Sequence, residues 1–111
     1  TYRQALANES AVRMNPELPD TVIGAWMPTV VLSDATRLTA ATLLQSFGEN
    51  NIDARPFFYP LSMLPWMQGH PCGRNALHIA ERAVNLPSYH DMSVDDIARV
   101  ADVILEALHA D

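Results

Sequence analysis

Runs of β-branched and aromatic residues at three places along the 111-residue chain predict strands. The first run is Trp26 to Leu32, in which Pro28 indicates an edge strand or a bulge because proline has no N–H to donate. The second run is Ile52 to Phe58, and a brief third one is Val84 to Pro87. We therefore expect a small, mainly antiparallel sheet of three strands.

Two internal segments carry apolar residues at the spacing of a helix that packs with one face. The first is expected to begin at a cap on Asp34, to run through Phe47 and to end at Gly48. The second spans Asn75 to Ala83. The predicted buried positions are Leu38, Ala41, Leu44 and Phe47 for the first helix, and Leu77, Ala80 and Val84 for the second.

The clearest helix is predicted at the carboxy-terminal end of the chain. Ser93 with Asp96 three residues later forms a variant capping box, and the helix continues to about His109. Its predicted apolar stripe is Val94, Ile97, Val100 or Ala101, Ile104 and Leu108. Tyr2 to Asn8 is too short for an independent helix and is interpreted as the tail of one that begins upstream. This order of elements predicts an α+β fold with helices packed on one face of the sheet.

The most unusual segment is Arg55 to Pro65, which combines three aromatic residues, an arginine and three prolines in eleven positions. A residue before proline is pushed towards extended geometry, so Arg55, Tyr59 and Leu64 should lie on a stiff, non-helical backbone. Two interpretations remain open. The segment is either the wall of a binding site or a proline-rich connection whose aromatic side chains only pack on the core.

Charge and composition exclude several kinds of partner. The net charge is −6 and the pI is near 5.0, so a basic surface for nucleic acid or an anionic membrane is not expected. Apolar runs stay shorter than the roughly 18 residues of a membrane-spanning helix. The single cysteine, Cys72, excludes an internal disulfide and fits a reducing compartment. We expect a cytoplasmic protein whose chain forms one folded unit.

All seven basic residues of the chain are arginines, and the sequence contains no lysine. A Schiff base with a carbonyl substrate or with pyridoxal phosphate requires a lysine amine. Such covalent chemistry is therefore excluded for these 111 residues alone.

A metal site near the middle of the chain is considered and set aside. His70, Cys72 and His78 lie close in sequence, and His78 and Glu81 are three residues apart, as neighbours on one helix face are. Zinc sites require a fuller and better-spaced set of ligands. We expect these side chains to pack or to face solvent, and we expect no metal.

Five of these features together resemble one protein family. They are the tryptophan-bearing strand, the helix before Gly48, the run Asn51-Ile-Asp-Ala-Arg-Pro-Phe-Phe-Tyr-Pro-Leu-Ser62, the run Asn85-Leu-Pro-Ser88, and Ser93-Val-Asp-Asp-Ile97. In this order they resemble the carboxy-terminal domain of the DegT/DnrJ/EryC1/StrS sugar aminotransferases, which depend on pyridoxal phosphate. The likeness covers about Tyr2 to Leu108, and Ser62, where many members have histidine, is more similar to the perosamine-synthase-like branch.

The resemblance implies how the chain is organised. Residues 1–15 would be the helix tail and linker from a large domain that is not part of the sequence, and residues 16–111 the carboxy-terminal small domain of a fold-type-I, aspartate-aminotransferase-like enzyme. The large domain would carry the cofactor lysine, so this chain alone should be catalytically silent and bind no pyridoxal phosphate. The parent would be a homodimer. An apolar surface left by the missing domain is expected at Met63, Leu64, Trp66 and Met67.

The implied reaction is a ping-pong transamination, in which glutamate loads the cofactor and a nucleotide-linked 4-keto-6-deoxy sugar accepts the amino group. A second function class also fits the sequence, namely a stand-alone interaction or regulatory module that kept the fold without catalysis. The reading frame upstream of Thr1 separates the two. About 250 further residues with a lysine after a small-residue strand would favour the transferase.

Arg55 is the charged residue that the resemblance assigns to substrate. A planar guanidinium donates two parallel hydrogen bonds to a phosphate or a carboxylate, and the nucleotide sugar and glutamate supply both groups. A structural arginine that donates to nearby carbonyls is the alternative. In neither case is a catalytic role expected, and no residue of the chain is assigned to catalysis.

The other assigned residues would shape the substrate cleft. Tyr59 and Ser62 are expected to form hydrogen bonds with sugar hydroxyls, and Phe57, Phe58 or Trp66 to cover the apolar side of a deoxy sugar. In an extended segment Phe57 and Tyr59 share one face and Phe58 takes the other. At least one of these three rings is therefore expected in the core.

Overall fold

An antiparallel sheet lies at the centre of the structure, a computed structural model that describes residues 1–24, 26–67 and 73–110. Within these residues the sheet has four strands in the order β1-β2-β4-β3. The elements are α1 Tyr2–Ala5, β1 Val12–Met14, β2 Thr29–Leu32, α2 Ala40–Glu49, β3 Arg55–Pro56, α3 Arg74–Arg82, β4 Ala83–Asn85 and α4 Val94–His109. The α+β class is thus confirmed, with one strand more than the sequence predicts.

The core lies between one face of the sheet and the helices. Val30 and Val84 are neighbours on adjacent strands, and both are fully buried against Leu43 and Phe47 of α2 and Ile104 of α4. Helix α1 closes the core from the amino-terminal side through Tyr2 and Leu6. Burial of these apolar side chains is the main term that stabilises the fold. No helix in the described part of the chain has the length and apolarity to cross a membrane.

Three details of the sheet differ from the sequence prediction. Strand β1 was not predicted, because a three-residue strand forms only by pairing with its neighbour and has little local signal. Here Val12 lies opposite Leu32 of β2. Pro28 precedes β2 instead of interrupting it, and β2 is a central strand, so the predicted edge or bulge is wrong. The second predicted strand shrinks to Arg55–Pro56.

Helix α2 begins and ends later than predicted. Thr39 is its N-cap, and the Thr39 side chain accepts a hydrogen bond from the backbone of Thr42 at 3.1 Å. The predicted stop at Gly48 is wrong, because the left-handed residue is Asn51, with φ of 55°. The Ile52 N–H donates to the Phe47 carbonyl at 2.9 Å and the Asn51 N–H to the Gly48 carbonyl at 3.1 Å, which is a Schellman motif.

The buried faces of α2 and α3 also require correction. In α2 the buried side chains are Ala40, Leu43 and Phe47, whereas Ala41 is exposed and Leu44 is half-buried. Leu38, the first predicted position, precedes the helix, so the helical spacing counted from it does not give the buried face. Helix α3 contributes no fully buried residue: Leu77 and Ala80 are half-buried, and Val84 belongs to β4.

Helix α4 agrees with the prediction at both ends. Ser93 is its N-cap, its side chain accepts from the Asp96 backbone at 3.1 Å, and the helix ends at His109. The buried stripe is Val100, Ala101, Val103 and Ile104, with Ile97 and Leu108 packed at its border. Val94 is 78% exposed, so its predicted place in the stripe is wrong. It lies in the first turn, beyond the reach of the sheet.

The cap of α4 leads to a prediction about acid stability. The pKa of Asp96 lies below its ordinary value of 3.8 because the hydroxyl and N–H of Ser93, and then the Tyr89 hydroxyl, donate to the carboxylate. The folded state thus favours ionised Asp96, and this stabilisation is present above pH 3.8 and is lost as the pH falls through the folded-state pKa. Asp96→Asn should therefore lose less stability than the unmodified chain between about pH 4 and 2.

Urea unfolding at a series of pH values measures this difference. Asp95→Asn, one residue earlier in the same turn, is the matched control and should keep the acid dependence of the unmodified chain. Equal acid dependence in Asp96→Asn and the unmodified chain would contradict the prediction.

Candidate functional site

The two residues of β3 place the proline-rich segment beside the sheet. Arg55 lies opposite Asn85 of β4, and Pro56 lies opposite Val84. Both β3 residues are exposed. Helix α2 leads directly into this segment through the Schellman motif at Asn51, which turns the chain from the helix back towards the sheet edge.

Arg55 lines a cleft of about 730 Å³ between β3, the loop after β4 and α4. Its guanidinium forms an ion pair with Asp53 at 2.9 Å, and the two side chains are 72% and 77% exposed. An exposed pair contributes little to stability, so an anionic ligand would displace the Asp53 carboxylate from Arg55 at low cost. The cleft walls include Asp53, Arg55, Ser88, Tyr89, His90 and Arg99.

The opposite wall of this cleft carries a second guanidinium and a tyrosine. Arg99 donates to the Asn50 carbonyl at the end of α2, which ties α4 to the turn that precedes Arg55. The Tyr89 hydroxyl donates to the Asp96 carboxylate at 3.0 Å, and this hydrogen bond raises the pKa of Tyr89 above its ordinary value. The cleft therefore offers donors on both sides: Arg55 and Tyr89 have carboxylates as their present partners, and Arg99 has a backbone carbonyl.

An apolar cleft of about 790 Å³ adjoins the first one and shares Trp26, Tyr89 and the loop after β4 with it. The Trp26 and Phe58 rings stack with centroids 6.5 Å apart, and Phe57 meets Phe58 edge to face at 5.4 Å. Trp26 is 73% exposed. Together, Trp26, Phe57 and Phe58 form an aromatic wall of the kind that covers apolar parts of a ligand.

Tyr2 connects the amino-terminal helix to the loop that both clefts share. Its side chain is buried, its hydroxyl donates to the Pro87 carbonyl at 3.0 Å, and Met92 Sδ lies 3.6 Å from the same hydroxyl oxygen. Burial raises the pKa of the Tyr2 hydroxyl, with smaller contributions from Tyr89 and Asp96. The hydroxyl is therefore a permanent donor that holds the cleft loop against α1.

The structure does not bring all predicted site residues together. Arg55 lines the first cleft and Phe57 and Phe58 the second, whereas Tyr59 and Trp66 line neither of the two. Tyr59 is 60% and Trp66 77% exposed. Ser62 is half-buried in a 3₁₀ turn, Leu61–Met63, and also lies outside both clefts.

The expectation of alternating faces in the aromatic run is wrong. Phe57 and Phe58 contact each other and line the same cleft, because regular pairing ends at Pro56 and the strand periodicity ends with it. Phe57 is half-buried, and Phe58 and Tyr59 are exposed, so none of the three rings belongs to the core.

Apolar side chains also remain exposed along the segment that follows. Met63 is 46% and Trp66 77% exposed, and Leu64 and Met67 are half-buried. A second 3₁₀ turn, Pro65–Met67, holds Trp66 and Met67. The surface predicted at these four residues is thus only partly covered by the described part of the chain.

The candidates for a metal site are only partly described. His70 and Cys72 lie outside the described residues. His78 Nε2 lies 3.4 Å from Asp34, which also meets Arg82 Nε at 3.3 Å. Among the described residues, no three side chains of the metal-binding types come together.

Sequence reasoning missed several residues of the two clefts. Trp26 was assigned to a strand, but it precedes β2 and faces a ligand-sized space. Tyr89 directly follows the Asn85-to-Ser88 run, and Arg99 lies on the first turns of α4. The aromatic character of Tyr89 next to a proline turn was a usable signal, whereas the place of the exposed Arg99 on the cleft wall depends on how α4 packs.

The sequence profile of the DegT/DnrJ/EryC1/StrS aminotransferase family matches residues 1–105. A putative pyridoxal phosphate-dependent aminotransferase, EpsN of Bacillus subtilis (strain 168), is 30% identical in an alignment of 114 positions, which covers 97% of this chain and 29% of EpsN. The GDP-perosamine synthase of Vibrio cholerae is 27% identical over 107 residues, 93% of this chain and 29% of that enzyme. The chain thus spans under a third of the length of these relatives.

Solved structures show the same fold. The aminotransferase TlmJ from Streptoalloteichus hindustanus superposes with a TM-score of 0.83 at 19% identity, over 98% of this chain and 29% of TlmJ. DesI, solved in the presence of its TDP-sugar product, superposes with a TM-score of 0.81 at 23% identity, again over 98% of this chain and 29% of DesI. The likeness to a part of each larger chain establishes the fold of the described residues.

Proposed function

Because the chain belongs to the DegT/DnrJ/EryC1/StrS aminotransferase family, matched over residues 1–105, we propose that it is the carboxy-terminal small domain of a pyridoxal phosphate-dependent sugar aminotransferase. The parent transfers an amino group from glutamate to a nucleotide-linked 4-keto-6-deoxy sugar. Its similarity to a GDP-perosamine synthase supports the nucleotide-sugar substrate. The family match is the observation that carries this proposal.

The composition of the chain indicates which functions belong to the rest of the parent. Pyridoxal phosphate is held in aminotransferases through a lysine amine, and this chain has none, so its residues do not fit the cofactor by themselves. The lysine and the proton transfers belong to residues outside the 111. The chain contributes binding and orientation of substrate. Residues 1–15 connect the domain of residues 16–111 to the large domain, and they also pack on it, since β1 pairs with β2 and Tyr2 is buried in the core.

The cleft residues have binding roles in this proposal. Arg55, whose present partner is the exposed Asp53, binds a phosphate or carboxylate of a substrate. Phe57 forms part of the aromatic wall against the deoxy sugar. Tyr59, Ser62 and Trp66 lie outside the two clefts, and their roles require that closure against the large domain brings substrate to them.

The proposal also covers the domain interface, the oligomeric state and the cellular compartment of the parent. The exposed Met63 and Trp66 side chains are covered by the large domain, because apolar patches of this kind mark interfaces. The parent is a homodimer in the cytoplasm, and its product enters polysaccharide or O-antigen synthesis. The single cysteine of the chain supports a reducing compartment.

The test compares this chain with the product of the longer reading frame upstream of Thr1. The full-length protein with pyridoxal phosphate should convert glutamate and a GDP-linked 4-keto-6-deoxy sugar to 2-oxoglutarate and an aminosugar nucleotide, detected by mass spectrometry. The 111-residue chain should show no turnover and no cofactor absorbance after gel filtration.

Two outcomes would contradict the proposal. A start codon near Thr1 would favour the stand-alone module. Full-length protein that binds pyridoxal phosphate but transfers no amino group to any nucleotide-linked ketosugar would exclude the proposed substrate class. Replacement of the cofactor lysine by alanine in the full-length protein is the matched inactive control.

A further inference from the structure

Two polar side chains are buried in the described part of the chain, and they bind each other. Thr29 is 5% and Asn85 4% exposed, and the Thr29 hydroxyl donates to Asn85 Oδ1 at 2.8 Å. A buried amide costs free energy unless both its oxygen and its nitrogen find partners. The burial of the polar Asn85 side chain in the sheet therefore depends on its specific hydrogen bonds.

The other end of the Asn85 amide reaches the edge strand. Asn85 Nδ2 donates to the Pro56 carbonyl at 3.4 Å, on the side of β4 that faces β3. With the Thr29 hydroxyl fixing Oδ1, the amide has one orientation available, and its N–H groups point at β3. The side chain thus bridges β2, β4 and β3.

Strand β3 needs such support because its own ladder is short. It has two residues, both exposed, and one of them is Pro56, which has no N–H. The aromatic run Phe57 to Tyr59 follows without regular secondary structure. Little else in the backbone therefore determines where Arg55 and the aromatic wall lie relative to the loop after β4.

The bridge continues to the amino-terminal helix. The Thr29 N–H donates to Asn15 Oδ1 at 2.7 Å, and the Asn15 carbonyl accepts from Arg3 Nη2 at 2.7 Å. A line of hydrogen bonds therefore crosses the whole sheet, from Arg3 on α1 to Pro56 on β3. Linked hydrogen bonds of this kind fix one arrangement of the segments they join.

We propose that Thr29 and Asn85 are positioning residues that hold Arg55 and the adjoining aromatic wall in the geometry that binds substrate. The inference rests on the proposed function for its substrate, and on the buried bridge for its geometry. Asn85 touches neither substrate nor cofactor in this scheme. It acts through the Pro56 carbonyl, which it holds next to Arg55.

The test separates positioning from stability with a double variant. Asn85→Leu alone leaves the Thr29 hydroxyl with the Met27 carbonyl at 3.4 Å as its remaining acceptor and is expected to destabilise the chain. Thr29→Val with Asn85→Leu replaces both partners by apolar groups of similar shape and should restore much of the stability. The Pro56 carbonyl still loses its donor in this double variant.

Hydrogen exchange of the backbone amides in the 111-residue chain gives the first readout. In the double variant, exchange at Arg55 and Phe57 should be roughly 3- to 10-fold faster, while exchange at Val30 and Ile104 follows global stability. Ile104→Val, a mild core truncation remote from β3, is the control and should leave the Arg55 and Phe57 rates unchanged. Rates within about twofold of the unmodified chain at Arg55 and Phe57 would overturn the proposal.

Steady-state kinetics of the full-length protein give the second readout. The double variant should raise KM for the nucleotide sugar or for glutamate several-fold, with kcat less affected. Faster exchange with both Michaelis constants unchanged would overturn the substrate-positioning role. If the unmodified full-length protein transfers no amino group, the proposed function fails, and the exchange result then still decides whether Asn85 holds β3.

Discussion

Replacing Phe47 by alanine is expected to lower the free energy of unfolding by about 3–5 kcal/mol. The Phe47 side chain is fully buried between α2 and the sheet, so truncation leaves a cavity that neighbours such as Leu43 and Ile104 fill only in part. A domain of this size has roughly 5–15 kcal/mol of stability, so the variant should be partly unfolded in mild urea. Equilibrium urea unfolding monitored by circular dichroism measures the loss.

Phe58→Ala is the matched control for this prediction, since it removes the same ring from an exposed position. The loss should be at most about 1 kcal/mol, from the stacking on Trp26 and the edge contact with Phe57. Similar losses of unfolding free energy in the two variants would contradict the burial of Phe47 in the core.

Arg55→Ala in the full-length protein is expected to raise KM for the nucleotide sugar or for glutamate by roughly 10- to 100-fold, because a hydrogen-bonded charge contact is lost. Folding should be nearly unaffected. The Arg55–Asp53 pair is largely exposed, and such pairs contribute less than about 1 kcal/mol. Steady-state kinetics with each substrate varied in turn, together with urea unfolding of the same variant, measure both effects.

Arg74→Ala provides the control for charge removal, because Arg74 is exposed at the start of α3 and lies outside both clefts. It should leave both Michaelis constants unchanged. Unchanged Michaelis constants in Arg55→Ala would refute the assigned role of Arg55. A large loss of stability in the same variant would identify Arg55 as a structural residue.

Local signals explain which elements were predictable. The cap of α4 was predictable, because Ser93 and Asp96 are only three residues apart and bind each other. The start of α2 was not predictable, because Asp34 and Thr39 are both residue types that cap helices well. In the structure Thr39 is the cap, and Asp34 lies beside Arg82, which is distant in sequence. Local sequence patterns do not contain a contact between residues nearly fifty positions apart.

The same distinction applies to the candidate site. Arg55 was recognisable from the chemistry of its guanidinium and from the family resemblance, and it does line a cleft. The aromatic wall was only half predictable, because Trp26 comes from a segment remote in sequence and meets Phe58 only in the folded chain. Strand periodicity misled the assignment of Phe57 and Tyr59, since Pro56 ends the pairing that the periodicity assumes.

The residues at the sheet edge also determine how copies of the chain can meet. An unpaired edge strand is a template for another strand, and that is how many exposed sheets begin to aggregate. One of the two edges of the described sheet is β3, where Pro56 offers no N–H and Arg55 presents a charge. A second copy therefore finds no continuous row of donors and acceptors at this edge, and the isolated domain, despite its exposed aromatic side chains, is poorly suited to grow into a cross-β fibril from β3.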